Sequence, residues 1–60
     1  MRFIAEIRRL RIERAKRMLM DTDEPVKYIA FAAGFSSSAQ MYQVFQQFVG
    51  MSPTAFRVRS

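Results

Sequence analysis

The 60-residue chain contains no cysteine, no histidine and no tryptophan, and only two glycines and two prolines. The lack of cysteine excludes a disulfide, and without cysteine or histidine there are no ligands for a soft-metal site. The commonest general base and the strongest nucleophile are missing too. The five acids, Glu6, Glu13, Asp21, Asp23 and Glu24, lie outside any glycine loop. Together these absences exclude an enzyme, and no cofactor is expected. No apolar run approaches the roughly 18 residues that cross a bilayer, and Met1 is not followed by a signal-peptide pattern. The expectation is a soluble, cytoplasmic chain with no membrane partner. A chain this short hides only about 60% of the surface its unfolded form exposes, which predicts one small domain, or a piece of a larger one, of marginal stability.

What the chain does have is unevenly placed positive charge: ten Lys and Arg against five acids, net +5. Residues 1–20 hold seven bases and two acids, and residues 21–24 add three acids. Lys27 is the one charge from 25 to 56, and Arg57 and Arg59 close the chain. Basic segments of this kind favour phosphate backbones or anionic lipid heads, without naming a sequence or a lipid. A solvated helix face is the alternative.

Residues 3–20 lack Gly and Pro and are rich in strong helix formers, so they predict one long helix ending near Asp21. At about 100° per residue its apolar side chains fall in two sectors. Phe3, Ile7 and Leu10 form one; Ile4, Ile12, Ala15 and Leu19 form the other, with Met18 between them. A helix of that kind has two neighbours to cover. Arg8 and Arg11 fall inside the second sector and must snorkel or find a carboxylate, and the pairing expected is Arg11 with Asp21 or Asp23.

Asp21-Thr22-Asp23-Glu24-Pro25 reads as a turn that starts a second helix, with Pro25 at its first position. Val26, Ile29, Ala30 and Ala33 recur at helical spacing over about eight residues, and Gly34 supplies a left-handed stop. Ser36-Ser37-Ser38 offers cap oxygens to a third helix whose buried side is Met41, Val44, Phe45 and Phe48, closed by Gly50. Ser52-Pro53 caps a last turn, Pro53 to Arg57, with Phe56 inward. No strand signal occurs, so the predicted class is all-α.

Two short helices joined through Gly34-Phe35-Ser36-Ser37, with small Ala30 and Ala33 facing inward, suit a helix-turn-helix. Periodicity alone leaves a plain helical hairpin equally open. The outer side of the third helix favours the groove reader. It carries Ala39, Gln43 and Gln46, with Tyr42 and Gln47 on its shoulders and Ser37 and Ser38 at its start, and no charge at all. Gln donates and accepts at once and so matches an adenine edge in the major groove, while Ser, Tyr and the Ala methyl suit adaptable or thymine-methyl contacts. An ordinary solvated helix uses Lys and Glu more often, although functionless Gln-rich faces exist.

The run Arg11-Ile12-Glu13-Arg14-Ala15-Lys16-Arg17-Met18-Leu19, followed by Asp21 to Val26, Ile29-Ala30, Gly34-Phe35-Ser36, Phe45, Gly50-Met51-Ser52-Pro53 and Phe56-Arg57, resembles the AraC/XylS family of bacterial transcription regulators. The resemblance covers nearly the whole chain. It implies a homeodomain-like helix-turn-helix bundle in which residues 1–20 are the long helix joining two helix-turn-helix subdomains and residues 21–60 the second subdomain with a short C-terminal helix. The parent chain would then also hold an N-terminal helix-turn-helix and an effector-sensing, dimerising domain. The stretch from Glu6 to Arg11 is similar to members that regulate sugar catabolism, xylose regulators among them.

Carried across by position, the resemblance directs Ser37, Ser38, Ala39, Tyr42 and Gln43 toward bases of double-stranded operator DNA. Gln46 and Gln47 fall nearer the sugar-phosphate backbone, with Ser36, Lys27, Arg57 and Arg59 placed there too. For the two terminal arginines a frayed tail is an equal alternative. The family commonly has Arg in the place of Gln43, Phe or Leu at Met41 and one or two bases at Gln46 and Gln47, so the expected grip is weak. Tyr28 and Phe31 lie off the inward face of the second helix; packing against the first helix is the expectation, contact with RNA polymerase the alternative. The rival function is a basic helical module that docks on an acidic protein or an anionic membrane surface.

Overall fold

A computed structural model describes the backbone of residues 2–59 and the side chains of residues 6–59. It holds four helices: α1 (Arg2–Asp21), α2 (Val26–Ala32), α3 (Ser38–Val49) and α4 (Pro53–Arg59). No strand occurs among the described residues. The chain is all-α, with α1 packed against each of the other three helices and α3 against α2 and α4.

α1 is two-sided, and only one side is covered. Ile12, Ala15 and Leu19 are buried, with Met18 packed beside them. On the other sector Leu10 is 64% exposed and Ile7 half-buried. The side chains of Phe3 and Ile4 lie outside the described residues. The end of α1 is tied by Thr22, whose N–H and hydroxyl both donate to the Met18 carbonyl, at 3.0 and 2.8 Å.

Pro25 is the N-cap of α2 rather than its first helical residue, with φ −60° and ψ 146°. Its carbonyl accepts the Ile29 N–H at 3.0 Å, which does not call on the backbone N–H that proline lacks. The far end of α2 closes as a Schellman motif. Gly34 N–H donates to Phe31 O at 3.0 Å and Phe35 N–H to Ala30 O at 2.9 Å, with Gly34 at φ +101°. Buried Phe35 over buried Ala30 completes the apolar contact that accompanies this turn.

Ser37 caps α3 by accepting the Gln40 N–H at 3.1 Å, and Gly50 ends that helix at φ +88°. Ser52 caps α4, its Oγ accepting the Ala55 N–H at 3.1 Å. α4 runs to Arg59, one half-turn beyond the expected Arg57. The core joins Ile12, Ala15 and Leu19 to Ile29, Ala30, Ala33, Phe35, Met41, Val44 and Phe45. Phe45 and Phe56 meet edge to face at 5.5 Å, a contact between α3 and α4 worth about 0.5–1.5 kcal/mol beyond area burial.

Three expectations are corrected here. Arg11 does not reach Asp21 or Asp23; the ion pairs among the described residues are Arg9 with Glu6 and Lys16 with Glu13. Ten residues of helix rise about 15 Å, beyond an arginine's reach, and Arg11 instead snorkels across Gly34, its Nε 3.2 Å from where a β-carbon there would stand. Tyr28 and Phe31 do not pack on α1: they are 54% and 57% exposed, because Ile29, Ala30 and Ala33 fill the inward side of α2. Phe48 shares the stripe of Met41, Val44 and Phe45 yet is 42% exposed, since the stripe outruns the elements that cover it.

Candidate nucleic-acid interface

The core fixes which side of α3 is left over. With Met41, Val44 and Phe45 buried, Ala39, Tyr42, Gln43, Gln46 and Gln47 are all exposed. Ser37 is exposed and Ser38 half-buried at the start of the helix. The seven residues therefore share one accessible, uncharged surface, reached without displacing any other helix.

They are not equally available. The Ser37 hydroxyl accepts the Gln40 N–H, which leaves its proton to donate outward. Gln40 Oε1 accepts from both the N–H and the hydroxyl of Ser36, at 2.8 and 3.0 Å. Ser36 is thus held against the first turn of α3. The Tyr42 hydroxyl lies 2.9 Å from Thr54 Oγ1, which ties α3 to α4 and sets the direction of the ring. Gln43, Gln46 and Gln47 have no side-chain hydrogen bond among the described residues, so their amides can turn to whatever they meet.

α3 itself carries no charge, and the cations of the chain sit on the other three helices. Lys27 is exposed on α2 and Arg59 at the end of α4. Arg57 is not in a frayed tail: its Nε donates to Leu19 O at 3.2 Å and its Nη2 to Thr22 O at 3.1 Å, so a phosphate contact must share or displace those bonds. On α1, Arg9 is bound to Glu6 at 2.9 Å, and that hydrogen bond, with the carboxylate's charge, raises its pKa further above the ordinary arginine value. Lys16 sits 3.7 Å from Glu13 and 5.9 Å from the centre of the Phe56 ring. Two residues escaped the sequence reading as contributors to this surface. Gln40 stands at the Ser-x-x-Gln spacing visible in the sequence, its N–H capped by Ser37 and its side chain accepting from Ser36, the residue before the cap. Arg8 lines the groove between α1 and α3 with Gln40, Gln43 and Gln47.

Two short helices joined by a glycine turn, braced by a longer one and presenting a polar second helix, define a helix-turn-helix of the homeodomain-like class. Residues 1–59 match the family described as "Helix-turn-helix domain". The melibiose operon regulatory protein of Escherichia coli K12 is 44% identical over 48 residues, which cover 80% of this chain and 16% of that protein. The "Probable transcriptional regulator LumQ" of Photobacterium leiognathi is 35% identical over 49 residues, covering 82% of this chain and 20% of that protein. No solved structure matches the chain significantly. The chain belongs to the AraC-type helix-turn-helix family, whose members are DNA-binding transcription regulators and not enzymes. It spans between a sixth and a fifth of the length of those two relatives. No described helix is long and apolar enough to cross a membrane.

Proposed function

We propose that this chain is the second of two DNA-reading units of a bacterial regulator, with residues 1–20 the linker helix and residues 21–60 the unit itself. α3 enters the major groove of duplex DNA. Ser37, Ser38, Ala39, Tyr42 and Gln43 face the bases, and Ser36, Lys27, Gln46, Gln47 and Arg59 face the backbone, with Arg57 reaching a strand only by sharing its carbonyl bonds. The observation that carries this reading is the charge-free, exposed side of α3 beside a cap that uses Ser37 and Gln40 to hold its first turn. Amides at such a face can satisfy the paired donor and acceptor of an adenine edge.

The name of the melibiose operon relative supports a parent that governs a sugar-utilisation promoter from the bacterial cytoplasm, as the likeness of Glu6 to Arg11 to sugar-catabolism regulators does. Exposed Tyr28 and Phe31 support contact with RNA polymerase once the chain is on DNA. The test is selection from a pool of randomised duplexes, followed by titration of the selected and a scrambled duplex, with sedimentation on anionic vesicles beside it. Two to four phosphate contacts predict a slope of about −2 to −4 in log affinity against log salt. Binding to vesicles but not to duplex would transfer the chain to the class of surface-docking modules.

A further inference from the structure

α3 carries no charged residue, an unusual poverty for a helix that meets a polyanion. The cation that shares a groove with its polar side belongs to another helix. Arg8 lies on the inward face of α1, one turn before buried Ile12 and two before buried Ala15. The described core ends at Ile12 on this helix, so Arg8 overhangs its edge. There it lines a groove with residues of α3, among them the stripe Gln40, Gln43, Val44 and Gln47 and, beside it, Tyr42 and Gln46. Arg8 is exposed and makes no ion pair or hydrogen bond among the described residues. Its neighbours are occupied: Arg9 by Glu6, Arg11 across Gly34, and Lys16 by Glu13 and Phe56.

We propose that Arg8 supplies the cation that α3 lacks, clamping a backbone phosphate of duplex DNA at the edge of the groove α3 occupies. This rests on the function proposed above. A guanidinium fork matches two phosphate oxygens at once, and beside the unbonded amides of Gln43, Gln46 and Gln47 it fixes how the helix lies along the duplex. Arg8 is a positioning residue: the phosphate sets the register, and Gln43 reads within it.

The test compares Arg8→Gln with Arg17→Gln. Arg17 is also exposed on α1 but nine residues on, about 180° round the helix, in a groove with Glu13 and Asp21. Both variants lose one charge, and matching thermal melts establish that both remain folded. Affinity for a fluorescently labelled mixed-sequence duplex is measured from about 0.05 to 0.5 M salt. Arg8→Gln is expected to flatten the slope by about 0.9, so that the unaltered chain's advantage over it shrinks about eightfold as salt rises over that decade, while Arg17→Gln follows the unaltered chain and Arg8→Lys keeps the slope. Equal slopes for the two glutamine variants, or no change with Arg8→Gln, overturn the assignment. The underlying functional reading fails separately, if Gln43→Ala leaves base preference unaltered while Arg8→Gln still flattens the slope.

Discussion

Arg57 donates from Nε to the carbonyl of Leu19 across 38 residues of sequence, at 3.2 Å, and its Nη2 reaches the Thr22 carbonyl as well. The last carbonyls of a helix have no partner within it, and a cation there suits the negative end of the helix dipole. α1 ends on Asp21 and has no base in its last turn. α4 therefore supplies from outside what α1 lacks, and the position of the short C-terminal helix is coupled to the end of the long one.

Arg57→Ala is accordingly expected to destabilise the fold by about 1–2 kcal/mol, a fall of roughly 5–15 °C in Tm for a domain of this size. Arg57→Lys recovers part, because an ammonium can serve one carbonyl but lacks the planar fork that spans two. Thermal unfolding followed by circular dichroism reads both. An unchanged Tm in Arg57→Ala would mean that water replaces the guanidinium without cost.

That bond could not be read from the sequence, and the reason is its range. Gly34, Ser37, Gly50 and Ser52 declare the helix ends because their chemistry acts within a turn or two, and Ile29, Ala30, Met41 and Phe45 declare the core through period alone. Arg57 and Leu19 meet only after the bundle closes. The expected pairing of Arg11 with Asp21 or Asp23 fails on distance, since the ten residues from Arg11 to Asp21 rise about 15 Å along α1. Tyr28, Phe31 and Phe48 show a third limit, since a stripe tells which way a side chain points but not whether another element lies opposite. The polar side of α3 was legible because subtraction of the apolar stripe leaves it, whereas Arg8 was not, because the groove it lines exists only once α1 crosses α3.

Gly34→Ala tests the turn. At φ +101° a β-carbon is strained, and it would also stand 3.2 Å from Arg11 Nε. The arginine end can shift; the backbone cannot without undoing the Schellman bonds. The expected loss is about 1–2 kcal/mol in chemical or thermal unfolding. Gly50→Ala meets no neighbouring atom at its β-carbon, so its cost comes from the backbone alone and should be the smaller of the two.

Ser37→Ala removes the acceptor for the Gln40 N–H and should cost about 1 kcal/mol. Gln40→Ala instead releases Ser36 while the Ser37 cap stays, so it should destabilise less. If Ser37 also faces a base, its loss weakens selected duplex more than the Tm change accounts for; Ser37→Thr, which keeps the cap oxygen, separates the two effects when affinity is measured well below Tm.

Gln43→Arg restores the residue the AraC/XylS resemblance puts at this position. The side chain is exposed and has no side-chain hydrogen bond among the described residues, so the substitution breaks nothing in the fold and Tm should hold within about 2–4 °C. An arginine here can address guanine N7 and O6 together and adds one charge beside the groove that Arg8 lines. Selection from randomised duplexes should then recover guanine where the unaltered chain recovers adenine, with discrimination of about 1–3 kcal/mol at that base pair. The salt slope should steepen by less than one unit, because a base contact with guanine releases fewer counterions than a phosphate contact does. A gain in affinity that is equal for every duplex and matched by a full unit of slope would place residue 43 at the backbone rather than the bases, and would rotate α3 in the groove relative to the orientation proposed here.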